Sequence, residues 1–597
     1  MNVSRFQIIC LAINLFIFLI GMHAFASKDI LEVIVDDDFT NQADVDVYNT
    51  SHGTSYTWGY DAFAVIQNGI DALTNGKVLV LDGTYGSVLD VEGRDGILIL
   101  GESQAGTIFM PIGVINWDVG IYGSSRQTAI RVVNSTDISI ENMTMDFDLI
   151  KANNRSGVLY WNSSGEIGGN LIQNMNVSDA GGGYTEITCY LRAPDYTDSD
   201  RAQIVVDNNT FLKTGRLAVV AHDYVNVNIM YNYFDKVEED FGYGIELGSM
   251  STGEITTNTF RNFATWAATD NSVAAAIYVE NSFSYDIVDP IEKSVLIENN
   301  NIALCQYGIY VGNEFDDISV TAGNVDIIAT IKNNTVDSAA TASPTSWASG
   351  GIVLTDEGKE NGSSVNVTLD SNSVKLCDDY GLLIKTAGDG DITALITNND
   401  IIGNILGIRV AEYAKRASIY NLSIYHNILD NNVNAYDDIA GGYWDDGASV
   451  GNCWMDFEDN SGYPEIYNIY GNANTVDRYP NVDCREACDC IPGENDGSPQ
   501  TNIFDITNII NYLYRDGLDP VPYEVCSGDA DCNCAINIFD ITYLITYLYL
   551  DGPSPCSCNE WVGNCNWPPR NQISENDVTI SDKTDMNTEL ITAQAYK

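Results

Sequence analysis

The sequence predicts a mostly β chain: a right-handed parallel β-helix solenoid with an N-terminal helical cap, followed by a small α-helical calcium-binding unit. Three observations predict it. A phrase of apolar, any, apolar, Asn, any, apolar returns at Ile204–Phe211, Val227–Phe234, Gly253–Phe260 and Val295–Ile302, and continues to Val336, Val374, Ile401 and Leu429. Between its copies falls a second phrase: RLAV at Arg216, GIEL at Gly244, AIYV at Ala276, GIYV at Gly308, GIVL at Gly351, GLLI at Gly381 and GIRV at Gly407. Past Cys484 the composition changes and a shorter, duplicated stretch begins.

The first phrase carries Asn209, Asn232, Asn258, Asn300, Asn334, Asn372, Asn399 and Asn427, most of them 23 to 34 residues apart, with two longer steps that read as inserted loops. Self-similarity at this period marks a solenoid. Short runs rich in Ile, Val and Thr between Asn and Gly turns make its units strands. Asn suits a tight corner in two ways: it tolerates the left-handed conformation, and its side chain can hydrogen-bond from one coil to the next. Looser copies lie at Ile140-Glu141-Asn142 and Ile172-Gln173-Asn174.

Residues 1–26 read as a signal peptide: Arg5, an apolar run from Phe6 to about Met22, and a small-x-small cleavage site at Ala24-Phe25-Ala26. An uncleaved anchor is the alternative, set against the short run and its interruption by Asn14. No later stretch is apolar enough to span a membrane, so the mature chain is expected to be secreted, extracellular or attached to a cell surface. Eighty-three acidic against 28 basic residues exclude nucleic acid as a partner. The same charge repels polyanions unless a metal bridges them, although a solvated acidic surface explains much of it.

Residues 27–75 are expected to form an N-terminal strand and a helix, with Phe63, Ile66, Ile70 and Leu73 at helical spacing, that covers the open end of the solenoid. The first coil is expected at Val78–Tyr85, and the coils with their C-terminal cap fill residues 76–480. Single cysteines at 189, 305 and 377 read as buried thiols. The opening helix and VLVLDGTY together resemble pectate-lyase-like β-helices. WDDGASVGNCWMDF and YNIYGNANTVDRYP (Trp444–Pro480) resemble the terminal motif of the NosD-like group, periplasmic β-helix proteins with carbohydrate-binding and sugar-hydrolase-type repeats. Copper, which that resemblance implies, finds no ligands here: the mature chain has only His52, His222 and His426 and no Met/His cluster. Physically the segment reads as an aromatic cap built on Trp444 and Trp454, with a sugar site as the alternative.

NIFDITNIINYLYRDGLDP from Asn502 and NIFDITYLITYLYLDGPSP from Asn537 lie 35 residues apart and match at thirteen of nineteen positions. Each follows an oxygen-rich loop. In the second, Asp529, Asp531, Asn533, Asn537 and Asp540 fall at loop positions 1, 3, 5, 9 and 12, and the carbonyl of Ala535 completes the oxygens a calcium ion wants. The first offers Glu494, Asp496, Ser498, Asn502 and Asp505, with Pro499 where the turn glycine belongs, and is expected to bind more weakly. Residues 484–558 therefore resemble a type I dockerin, two calcium loops each with its helix. That resemblance implies a cohesin-type partner met by Ile503, Phe504, Ile538 and Phe539; a core role for the phenylalanines is the alternative. Ten cysteines between 453 and 565, with CxC pairs at 488/490, 532/534 and 556/558, read as disulfide staples in an exported chain; zinc would ask for CxxC or a nearby histidine. Residues 559–597 are polar and expected to be disordered.

In the G-I-x-V phrase the apolar pair should point inward and x outward. The outward set is then Ala218, Glu246, Tyr278, Tyr310, Val353, Leu383 and Arg409, with Glu280 and Lys385 one step further. Stacked coils would align Glu246 and Glu280 beside a tyrosine ladder, a carboxylate pair suited to glycoside hydrolysis. Lys385 and Arg409 would instead neutralise a uronic acid for β-elimination. Ladders of Tyr and Glu also stabilise sheets without doing chemistry. The sequence thus supports a secreted protein whose β-helix binds or degrades polysaccharide. The alternatives are a non-catalytic adhesive spacer and a periplasmic maturation factor.

Overall fold

The computed structural model describes residues 32–118, 125–150, 154–175, 186–236, 242–264, 273–281, 291–313, 325–340, 348–356, 364–386, 391–412, 419–439, 442–481, 491–495, 501–515, 520, 524–550, 552–556 and 561. The signal-peptide expectation and the polar tail beyond residue 561 lie outside these residues. Among them, three stacked sheets of 15, 13 and 13 strands carry the chain from Glu32 to Trp454, and strands joined along the solenoid axis are parallel. A turn of the solenoid takes one strand from each sheet, as in Val225–Met230, Tyr233–Asp235 and Tyr243–Leu247. The exception is Ile115–Asp118, which runs antiparallel on the edge of the third sheet.

The recurring Asn divides its two expected jobs between neighbours. Left-handed backbone belongs to the residue before it: Asn208, Tyr231, Thr257, Asn299, Asn333, Ser371, Asn398 and His426, with φ between 54° and 61°. The recurring Asn itself is buried and stacked. Its Oδ1 accepts from the main-chain and side-chain N–H groups of its counterpart one coil earlier, and its Nδ2 donates to a carbonyl of that same earlier coil, as Asn232 does with Asn209 and Val206. The column starts at Asn170 and ends at Asn452, whose N–H donates to Asp477 (2.6 Å). Of the looser copies, Asn142 holds the left-handed position and Asn174 sits at the next corner, so Asn170 is the true column member. Inside the ladder the middle residue of each short strand triplet packs on its neighbour; Phe211, Phe234 and Phe260 stack at 4.6 and 4.8 Å.

The glycine of G-I-x-V is explained by crowding at the bend into the third sheet. A Cβ at Gly308 would stand 2.5 Å from the Gly351 carbonyl and from Val336 Cγ1, and one at Gly351 would stand 2.3 Å from Val374 Cγ1. Glycine keeps two adjacent coils at strand spacing there.

At the N-terminus the solenoid begins earlier than Val78: Glu32–Val35 pairs with Gly76–Val80 and is itself the first long strand beside Ala62–Phe63. The helix expected from Phe63 is shorter, Ile66–Ala72, with Phe63 in a strand, and a separate helix covers Gln42–His52. Ile66, Ile70 and Leu73 join the core, which runs unbroken from Val33 to Ile469. At the other end Trp444 and Trp454 are buried, and their indole N–H groups donate to Asp437 and Asp477. Buried aspartates make this segment a structural end-piece.

The C-terminal stretch holds two 12-residue helices, Ile503–Tyr514 and Ile538–Tyr549, around a separate small core of Ile506, Ile509, Ala530, Ile541 and Leu544. Each starts with the same capping box, Asn502 with Asp505 and Asn537 with Asp540. The disulfide Cys532–Cys556 ties the second loop to the chain after its helix, while Cys189, Cys305 and Cys377 are buried free thiols. None of the helices among the described residues is long and apolar enough to cross a membrane.

Candidate functional site

Strand register puts Val220, Glu246, Tyr278, Tyr310, Val353, Leu383 and Arg409 in one outward column of the third sheet. Ala218 is not in it. That residue is one of two successive inward positions at the bend, both in the core, so Val220 takes the place assigned to Ala218. The expectation of an exposed face is also corrected: Glu246, Tyr278, Tyr310 and Glu280 are 0, 2, 4 and 1% exposed. The reason lies in composition. Tyr278, Tyr310, Val353 and Leu383 gather with Ala275 and Tyr307 into a second apolar cluster outside the sheet, against which Tyr243, Val273 and Tyr380 pack. Such a face is too apolar to be left to water. Within it Tyr243, Tyr278 and Tyr310 stack ring on ring at 4.2 and 4.4 Å.

Beside this stack lies the cluster that carries chemistry. His222 follows Ala221, Gly248 follows Leu247 and Glu280 follows Val279, three residues that the register stacks coil on coil. His222, Gly248 and Glu280 therefore line a second column adjoining Glu246. His222 Nε2 lies 2.8 Å from Glu246 Oε1, and ligand-type atoms of His222, Glu246 and Glu280 all fall within 4.8 Å of one another. All three residues are fully buried. Burial, and then the Arg192 guanidinium, push His222 down to about 3, so the imidazole is neutral at pH 7. Arg192 in turn holds Asp223 at 2.6 Å.

Lys293 enters from the first sheet, on a strand whose inner face otherwise feeds the core. Its ammonium donates to the carbonyls of Leu247, Ser249 and Glu280. Burial pushes Lys293 down to about 7, opposed by the carboxylates of Glu280 and Glu246. Sequence reasoning reached Glu246 and Glu280 but missed His222, Lys293 and Arg192. The available signal for His222 was its position, two residues beyond the outward Val220 once the register is set correctly.

Lys385 and Arg409 are not part of this constellation. Lys385 shares the column of Glu280 but three coils on, through Gly312 and Thr355, which is ~14 Å at strand spacing. Arg409 is five coils from Glu246, pairs with Asp438 at 3.2 Å and lies over Tyr436. The two cations expected to neutralise a uronic acid thus stand three to five coils from the carboxylate pair, whose nearby cations are Arg192 and Lys293.

In the C-terminal unit, carboxylates of Asp529, Asp531 and Asp540 converge within 4.8 Å. Asp529 accepts from the N–H groups of Asn533 (3.0 Å) and Cys534 (2.6 Å), which curls the loop around it, and from the buried indole of Trp561 (2.8 Å). Burial is the main cause that lifts Asp540 to about 6, with Asp531 and Asp529 adding to it. A hard divalent ion would relieve that crowding, so the donor set fits calcium. Asn537 caps its helix by accepting from Phe539 N–H, and its Nδ2 donates to the Ala535 carbonyl. In the first loop Asn495 N–H donates to Asp505 (2.8 Å), while Asp496 and Ser498 lie outside the described residues. Ile503, Phe504, Ile538 and Phe539 are 54, 67, 55 and 66% exposed, so the phenylalanines are surface and not core.

A profile of the right-handed β-helix region matches residues 196–389, the span that holds His222, Glu246, Glu280 and Lys293. Among solved structures the chain is similar to the A-module of the mannuronan C-5 epimerase AlgE4 of Azotobacter vinelandii, at 14% identity over 65% of this chain and 88% of that one, with a TM-score of 0.31. It is similar to a family 28 exopolygalacturonase of Yersinia enterocolitica at 12% identity, over 61% of this chain and 75% of that one, with a TM-score of 0.31. The catalytic unit of an α-1,3-glucanase of Streptomyces thermodiastaticus follows at 10% identity, 64% and 67% coverage and a TM-score of 0.30. No curated protein sequence matches the chain.

Proposed function

We propose that this is a secreted modular protein whose β-helix binds and degrades polysaccharide at the His222–Glu246–Glu280 cluster, and whose C-terminal unit is a calcium-loaded dockerin that fastens it to a cohesin-type module. The carrying observation is the convergence of Glu246 and Glu280, from successive coils, on one buried point with a neutral imidazole. Paired carboxylates are what glycosidic cleavage asks for: one protonates the leaving oxygen and the other attacks or activates water. Their approach within 4.8 Å is nearer the ~5 Å of an acid–nucleophile pair than the ~6.5–9.5 Å that leaves room for a water. In the dockerin, Ile503, Phe504, Ile538 and Phe539 offer the same exposed apolar pair at the start of two equivalent helices, a surface usable in either of two orientations.

A second reading, a non-catalytic adhesive or surface protein with the β-helix as a rigid spacer, is favoured by the burial of the whole tyrosine and carboxylate face. Product release from neutral and uronic-acid polysaccharides, with calcium, separates the two. Cleavage by the mature protein that is lost in Glu280→Ala supports the enzyme and this site. Equal cleavage by both proteins would move the site elsewhere, and silence from both would favour the spacer. Calcium-dependent binding of a cohesin module, weakened at least tenfold when Phe504 and Phe539 are both changed to Ala, tests the attachment.

A further inference from the structure

We infer that His222, Glu246 and Glu280 hold a divalent first-row transition-metal ion, of which zinc is the type. The inference rests on reading this cluster as the site and gives its two carboxylates the role of ligands in place of the acid–nucleophile pair, and its test measures metal rather than turnover.

One imidazole and two carboxylates combine the nitrogen and oxygen donors that this metal class accepts; calcium takes six to eight oxygens and no nitrogen, and soft copper sites want thiolate or thioether. A ligand imidazole must be neutral, and the full burial of His222 favours that form. The donors come from three successive coils, so the sheet register itself fixes their spacing. Two donors on one ion at ~2.1 Å stand at most ~4.2 Å apart, so the widest pair here, within 4.8 Å, needs to close by about half an ångström.

Space for the ion comes from Gly248. It sits in the column between His222 and Glu280, and a Cβ there would lie 2.5 Å from His222 Nε2 and 2.6 Å from Glu280 Oε1. The missing side chain thus leaves a cradle onto which a nitrogen and a carboxylate oxygen both face. Its φ is not in the left-handed region, so backbone conformation does not call for glycine at this position. Charge points the same way. A divalent ion would add positive charge beside the two carboxylates of Glu246 and Glu280, which Lys293 already faces while it donates to the carbonyls of Leu247, Ser249 and Glu280. Three protein ligands leave a fourth coordination position, which a water molecule can fill.

The test uses the full mature chain carrying Asp529→Ala, which disables the other convergent carboxylate cluster. The protein is stripped with chelator, reloaded with zinc or cobalt, dialysed, and assayed for bound metal and for the visible absorption of cobalt. One ion per chain is expected. His222→Gln and Glu280→Gln should each weaken binding at least tenfold. Gly248→Ala should do the same with all three ligands present, and far-ultraviolet circular dichroism should show each variant folded. An ion retained equally by His222→Gln, or no ion in the Asp529→Ala chain, overturns the inference. Sugar release by a chain that retains no ion would overturn the metal site and leave the enzyme. A bound ion without release from any polysaccharide would support the metal site and sink the polysaccharide reading.

Discussion

Single residues carry unusual weight here because each repeats along a column. Asn258 accepts from Asn232 N–H and donates to the carbonyls of Ile229 and Thr256 and to Asn300. Asn258→Ala strands several buried polar groups at once, and a loss of about 2–4 kcal/mol is expected, read from the urea midpoint of the β-helix transition. A loss below ~0.5 kcal/mol would mean the column contributes order without stability. Thr257, β-branched and at φ 58°, is the strained partner of that corner. Thr257→Asn should raise the same midpoint, by about 0.5–1 kcal/mol. His222 links the cluster to pH. Its folded value of about 3 lies below the ordinary 6.5, so the unfolded chain binds the extra proton between them. The stability it represents is whole above pH 6.5 and is lost as pH falls towards 3, in all about 5 kcal/mol. Subtracting the pH–stability curve of His222→Gln from that of wild type should isolate this slope; parallel curves would refute it.

At the scale of elements, the bend into the third sheet is the most constrained point of each coil. Gly308→Ala places a methyl 2.5 Å from a carbonyl and a valine of the stacked coil, and neither is the end of a flexible chain. Overpacking of this kind costs about 1–3 kcal/mol, and a calorimetric shift of the β-helix transition would show it. The C-terminal end-piece works differently. Asp477 accepts from Asn452 N–H, Trp454 Nε1 and Tyr479 N–H, and so terminates the Asn column, the core and the chain's return at one carboxylate. The shorter Asn404–Asn431–Asn434 column ends likewise on Asp456. Both ladders need a final acceptor, and an aspartate supplies it without asking for a further coil.

For the whole molecule, the solenoid core and the small core of the helical pair share no residue. Two cooperative transitions are expected in calorimetry. Calcium should raise only the one belonging to the helical pair, by binding the native loop. Asp529→Ala should abolish that increment and leave the larger transition in place. A single transition, or one in which calcium moves both, would show that the two parts fold as a unit.

The repeat by itself determined the solenoid, since a period of apolar pairs, Asn corners and Gly bends has few other ways to bury its strands. It also determined the twin capped helices, because 13 of 19 positions repeat with their Asn and Asp caps. Glu246 and Glu280 were legible for the same reason: a fixed period lets register be read directly. What escaped is what register alone cannot supply. The slip from Ala218 to Val220 came from a bend where two successive residues turn inward, which breaks the alternation of a flat strand. The burial of Tyr278 and Tyr310 depended on Tyr243, Val273 and Tyr380 packing on the outside of the sheet. His222, Lys293 and Arg192 belong to three different strands of two sheets, and only the closed solenoid brings them together. Periodicity is a local property of the chain and survives in one dimension; a site assembled across coils exists only once the coils have stacked.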